Sequence, residues 1–217
     1  MVNPCNPTGT FFKQKDIIEV IEYTHELGIF VIVDESFVDF ADKDMFTLIN
    51  DDVLKKYPGL VVIKSLGKSF GIPGIRLGVA ATTNRNLKQA IKSNLPIWNI
   101  NSIAEYFLQI IDKYLESYRY ACLSVARQRD LMIDKLNELD YLKCRPSKGN
   151  FVFAEIGDQI TANELARYLI TKGILVKDCS TKLGISGRGE FIRFAVKNSE
   201  ENRFLLQCLE QFKNQTV

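Results

Sequence analysis

The chain has 217 residues, 46% of them apolar and 25% charged, with a formal net charge of +2. That is enough apolar material for one large domain or two small ones in a soluble globular protein. No basic tract or basic–aromatic interleaving marks a nucleic-acid surface, and no apolar run approaches the roughly 20 residues needed to cross a bilayer. The start, MVNPCNP, has neither the basic n-region nor the apolar core of a signal peptide, so the cytoplasm is the expected compartment and neither a membrane nor a nucleic acid is an expected partner. The five cysteines, at 5, 122, 144, 179 and 208, are odd in number and form no CxxC pair. They imply neither a disulfide framework nor a zinc site, and no metal is expected.

In chain order, residues 16–27 carry Ile17, Ile18, Val20, Ile21 and Leu27 at helical spacing, and Gly28 is placed to end that helix. The single histidine, His25, falls on its polar end as a surface residue. An apolar strand follows at 30–33 and ends in Asp34, a second strand is expected at 60–63, and a third at 77–81. This β–α–β alternation predicts a layered α/β sheet, in which ligands gather beyond the strand C-termini. Helical pattern then runs from about 102 to 139, with Ile103, Phe107, Ile110, Ile111 and Leu115 on one stripe and Val125, Leu131 and Leu136 extending it. The tail changes character: strand 151–156, helix 162–172, strand 174–177, strand 191–196 and helix 200–212 make a compact α+β unit.

The densest chemistry lies in Ser65 to Gly78, SLGKSFGIPGIRLG. A lysine amine can form a Schiff base with an aldehyde, and a nearby hydroxyl and guanidinium can hold a phosphate dianion. An aldehyde joined to a phosphate describes pyridoxal phosphate. Two earlier segments accompany it: NPCNPTG at 3–9, and FVIVDESFVDF at 30–40. Taken singly, each residue has a plain reading. Asp34 can solvate a strand end, Asn6 can be a turn residue before proline, and Arg193, in FIRFAV, can be a solvent-facing strand residue.

Together and in this order, the segments resemble the fold-type I pyridoxal-phosphate enzymes of aminotransferase class I/II. The resemblance implies that Lys68 is the catalytic Schiff-base lysine, freed by substrate to move a proton at the α-carbon. It implies that Asp34 pairs with the pyridine nitrogen, that Asn6 bonds the phenolic oxygen, and that Ser65 and Arg76 bind the phosphate. Arg193 matches the arginine that grips the substrate carboxylate. Phe37 stands where many relatives have a tyrosine whose hydroxyl also reaches the phenolic oxygen, so one cofactor contact is missing. The Asn6–Pro7 bond is expected to be cis.

The wording DESFVDF and GIPGIRLG, with PIWNIN at 96–101, is nearer the histidinol-phosphate aminotransferase and threonine-phosphate decarboxylase branch than the aspartate aminotransferase one. The resemblance implies an aminotransferase acting on an amino acid, phosphorylated ones included. A threonine-phosphate-type decarboxylase and a non-catalytic folded remnant stay open as alternatives. On this pattern residues 1–100 form part of a cofactor-binding large domain, 101–140 a connecting helical region, and 141–217 a small C-terminal α+β domain. NPCNPTG normally follows a long N-terminal portion, so the chain is expected to be the C-terminal portion of a larger enzyme, with little turnover by itself. An unpaired strand edge is then expected, with a homodimer or larger self-association.

Overall fold

The computed structural model describes all residues except 42–44, 158 and 217. Contacts divide the chain into two compact units, Met1–Pro4 with Phe11–Cys122, and Cys5–Thr10 with the chain from Leu123 onward.

In the first unit, α1 (Gln14–Glu26) buries Ile17 and Ile21, one helical turn apart, with Ile18 half-buried beside them. They pack with Val33 of β1 (Val31–Asp34), Leu54 of α2 (Asp51–Lys56), and Leu60 and Val62 of β2 (Leu60–Ser65). Each such side chain, fully buried, contributes about 1.5–3 kcal/mol. The Asn50 side chain starts α2 by accepting from the Asp52 and Val53 amides. β1 runs parallel to β2, whereas β3 (Gly78–Ala81) runs antiparallel to it, in the order β1-β2-β3. The sheet of the α/β reading is therefore mixed. Because β3 is reversed, its first residue, Gly78, pairs with the last of β2, Ser65, at the same sheet edge as the end of β1. At the other side of β1, Val2 bridges Asp34, with the Asn3 amide donating to the Asp34 carbonyl.

Between β2 and β3 lie the four-residue α3 (Leu66–Ser69) and a 3-10 turn at Pro73–Ile75. α4 (Arg85–Ser93) and α5 (Ser102–Ile110) follow, capped by the Asn84 and Asn101 side chains. The helix expected over 102–139 is in fact α5, a 3-10 segment at Ile111–Tyr114, and α6 (Leu115–Leu136). The division between the units falls inside α6 rather than at either end of a separate connecting region. Several large apolar side chains of the first unit are exposed, among them Ile32 (53%), Ile97 (97%) and Trp98 (92%), and all but the last residue of β3 are exposed.

The second unit is the expected α+β layer. β4 (Leu142–Cys144), β5 (Phe151–Ile156), β6 (Lys177–Asp178) and β7 (Glu190–Ala195) form an antiparallel sheet in the order β4-β5-β7-β6. α7 (Ala162–Thr171) and α8 (Ser199–Thr216) bury Leu165, Leu169 and Leu209 against Val152, Ile192 and Phe194. A reciprocal cap between Thr161 and Glu164 starts α7. The strand expected at 174–177 begins only at Lys177, because Ile174 and Val176 pack on the core from a loop. Residues 5–10 form a turn of this unit: the Cys5 amide donates to the Thr10 carbonyl, and the Lys148 amide to the Gly9 carbonyl. Asn3–Pro4 and Asn6–Pro7 are both cis, the second as expected. No described helix is long and apolar enough to cross a membrane.

Candidate active site

The shared edge of β1, β2 and β3 opens into a cleft of ≈ 670 Å³ in the first unit. Asp34 at the end of β1, Ser65 at the end of β2, Lys68 in α3 and Arg76 before β3 all line it, with Ser36 and Lys64 beside them. Local geometry explains how each arrives there. Asp34 Oδ1 accepts from the Ser36 amide at 2.9 Å, a turn that folds the chain back at the strand end. Ser36 Oγ in turn accepts from the Ser65 amide at 3.0 Å, tying the ends of β1 and β2 together. Gly67 lets α3 lie against the following loop, since a Cβ there would stand 3.1 Å from Pro73 Cα. Lys68 is exposed, and its Nζ lies 6.0 Å from the centroid of the Phe37 ring, which is itself buried.

Arg76 adopts φ 56°, ψ 46°, left-handed backbone that costs a non-glycine residue roughly 1–2 kcal/mol. It is the one non-glycine residue at positive φ among the described residues. Its guanidinium reaches back to the Pro73 carbonyl at 3.2 Å. Strain of this kind gathers at functional sites, where the surrounding structure fixes a side chain's direction. With Lys64, Lys68 and Arg76 against Asp34, the charged lining of the cleft is predominantly cationic and suits an anionic ligand.

The sequence missed the polar support beneath the cleft. Lys64 Nζ donates to Asp39 Oδ1 at 2.7 Å, with both side chains largely buried. Burial pushes the Tyr118 phenol well above its ordinary range, and Asp39 adds to the shift. Burial likewise lifts the Cys122 thiol to about 11. A lysine inside the otherwise apolar LVVIKS strand was the available signal, since a strand lysine facing the interior needs an anionic partner. Next to Asp34, Glu35 is 1% exposed and accepts from Thr47 Oγ1 and the Leu48 amide. Desolvation raises its pKa above the ordinary carboxylate value.

Asn6 and Arg193 belong to the second unit. Arg193 donates to Asn6 Oδ1 at 2.6 Å, and its guanidinium lies 5.1 Å from the Phe151 ring centroid. Lys182 Nζ also donates to the Asn6 carbonyl oxygen. Cys179 is buried and its thiol is raised by desolvation. No cluster of metal-ligating side chains occurs among the described residues.

Sheet, cleft and motif order thus define a chain of one known kind. It belongs to the aminotransferase class I and II family, which it matches across residues 1–209. It is 30% identical over 217 residues to an L-serine phosphate decarboxylase of Campylobacter jejuni, covering 96% of this chain and 54% of that protein. The crystal structure of the histidinol-phosphate aminotransferase from Clostridium acetobutylicum superposes with a TM-score of 0.90 at 27% identity, over 99% of this chain and 63% of that one. A histidinol-phosphate aminotransferase from Sinorhizobium meliloti, solved with pyridoxal 5'-phosphate, shares the fold, with a TM-score of 0.75 at 19% identity over 100% of this chain and 57% of that one. The chain spans about half the length of most of the curated relatives it matches.

The family implies pyridoxal phosphate, and the cleft's donor set fits it. An exposed amine for the aldehyde, a carboxylate for the ring nitrogen, and a guanidinium with hydroxyls for the phosphate line the cleft together.

Proposed function

We propose that this chain carries the reactive lysine of a pyridoxal-phosphate-dependent aminotransferase acting on an amino acid or on a phosphorylated amino compound of the histidinol-phosphate kind. One observation carries the reading: Asp34, Ser65, Lys68 and Arg76 line a single cleft at one sheet edge. When bound, the cofactor supplies an electron sink that weakens the bonds at the substrate α-carbon. The rest falls to this chain's side chains. Lys68 anchors the aldehyde carbon and afterwards carries a proton to and from the substrate α-carbon. Asp34, as a carboxylate, favours a protonated ring nitrogen. Arg76 and Ser65 hold the phosphate by charge-assisted hydrogen bonds. The family resemblance assigns the substrate carboxylate to Arg193, a planar donor pair, and the phenolic oxygen to Asn6, and within the second unit these two are hydrogen-bonded to each other. Phe37 supplies a ring but no hydroxyl.

A second reading, decarboxylation of a phosphorylated amino acid, is favoured by the L-serine phosphate decarboxylase among the relatives. The same residues serve both, and the bond held perpendicular to the ring decides which leaves.

Titration with pyridoxal phosphate, followed by visible absorbance, tests the cleft. Lys68→Ala abolishes the Schiff-base band on the long-wavelength side of free pyridoxal phosphate. Arg76→Ala weakens binding about 10–100-fold, the loss of a charge-assisted hydrogen bond of ~1.5–3 kcal/mol, while leaving pyridoxal, which has no phosphate, unaffected. A Schiff-base band that persists undiminished in Lys68→Ala sinks the proposal. Incubation with histidinol phosphate or threonine phosphate and 2-oxoglutarate separates the two readings, since transamination yields glutamate and decarboxylation yields carbon dioxide.

A further inference from the structure

Two lysines four residues apart, Lys64 and Lys68, line the same cleft. Sequence position alone does not tell them apart as amines, but their surroundings do. Lys64 Nζ donates to Asp39 Oδ1 at 2.7 Å, and the two side chains are only 15% and 9% exposed. Lys68 is exposed and has no anionic partner among the described residues. We propose that Asp39 is a positioning residue that selects the reactive amine, by tying Lys64 into a sheltered ion pair and so leaving Lys68 as the amine open to an aldehyde. The proposal rests on the reading of Lys68 given above.

The chemistry makes the selection sharp. To join an aldehyde, a neutral amine uses its nitrogen lone pair to attack the carbonyl carbon. Both amine protons then leave with the carbonyl oxygen as water, and a carbon–nitrogen double bond remains. For Lys64 to react, it must leave its ion pair and strand the Asp39 carboxylate, buried, without its cation, which is the expensive way to break such a pair. Lys68 loses no such partner. An exposed ion pair would discriminate weakly, because solvent screens it, but this one is mostly sheltered.

The test is the site of covalent capture, a readout that a purely structural brace would not move. The 217-residue chain is incubated with pyridoxal phosphate, reduced with borohydride, which adds hydride to the double bond and fixes it, then digested and analysed by mass spectrometry. Modification of Lys68 over Lys64 is expected on the order of 100-fold, the scale set by stranding a buried charge. Lys68→Ala, which leaves the ion pair intact, still shows an unmodified Lys64. Asp39→Asn, with circular dichroism unchanged, brings Lys64 modification up to the level of Lys68. Modification of Lys64 in Lys68→Ala overturns the proposal, and so does a folded Asp39→Asn chain in which Lys64 stays silent. If Asp39→Asn does not fold, the Lys68→Ala arm decides alone. A wild-type chain with both lysines silent, but with Lys64 captured in Asp39→Asn, supports the role of Asp39 while sinking the reading of Lys68.

Discussion

Three glycines of the SLGKSFGIPGIRLG segment, each changed to alanine, separate the forces that shape the lysine loop. At Gly67 an added Cβ would meet Pro73 Cα at 3.1 Å and the Ile72 carbonyl oxygen at 3.3 Å, both backbone atoms with little room to give. Helix propensity favours alanine there by about 1 kcal/mol, while overpacking costs roughly 1–3 kcal/mol, so a net loss of about 1 kcal/mol is expected. At Gly71 nothing lies within 4 Å of an added Cβ, but φ is +68°. The left-handed penalty of about 1–2 kcal/mol exceeds the roughly 0.4–1 kcal/mol gained by restricting the unfolded chain, and the variant is again less stable. Gly74 has neither a neighbour within 4 Å nor a positive φ, so Gly74→Ala gains about 0.4–1 kcal/mol. Urea unfolding followed by circular dichroism reads the series, and 1 kcal/mol moves the midpoint by about 0.5 M at a slope of ~2 kcal/mol/M. A Gly67→Ala chain as stable as the wild type would refute the close packing of α3 on the loop, and with it the account of how Lys68 is placed.

Glu35 makes stability depend on pH in a definite direction. Its folded pKa is raised, so as pH climbs past the ordinary carboxylate value the unfolded chain releases its proton first, and the stabilising contribution present at low pH is lost by the time the folded group titrates. Urea midpoints should therefore fall across that window in the wild type and stay flat by comparison in Glu35→Gln; parallel profiles would refute the assignment. Thiol labelling near pH 8 should modify half-buried Cys5 before Cys122 and Cys144, whose thiols burial pushes to about 11 and about 12. Equal rates in the folded chain would contradict the burial described. From the exposed Ile97 and Trp98 and the edge strand β3 we predict self-association, for which light scattering should show a mass rising with concentration. A strict monomer at high concentration would count against it.

The legible parts of the sequence were those with local punctuation. β5 takes the expected bounds because FVFAEI sits between Gly149-Asn150 and Gly157, and α7 follows from Thr161 and Glu164 at capping spacing. Of the motif residues of the first unit, Asp34 and Ser65 end strands, Lys68 lies just after β2, and Arg76 stands just before β3. α2 and α4 went unread, although Asn50 and Asn84 were visible cap signals before short polar helices. The break at Ile111–Tyr114 has neither glycine nor proline to announce it. The Lys64–Asp39 pair joins residues 25 apart, a separation set by the crossover between β1 and β2 rather than by any helical or strand period. Only tertiary structure brings those two charges together.

Assignment of residues 5–10 to the unit that otherwise begins at Leu123 makes the two units interleaved in sequence. During synthesis the Gly9 carbonyl must wait for Lys148, and Asn6 for Arg193, so contacts made by residues 5–10 close some of the longest loops described. Contacts of that separation raise the contact order of this segment, which is expected to slow its docking. It also governs dissection: a chain starting at Leu123 loses the turn seated on Lys148, and one ending at Cys122 keeps that turn without its seat. A physical separation of the two halves should therefore be attempted by joining residues 5–10 to the later one.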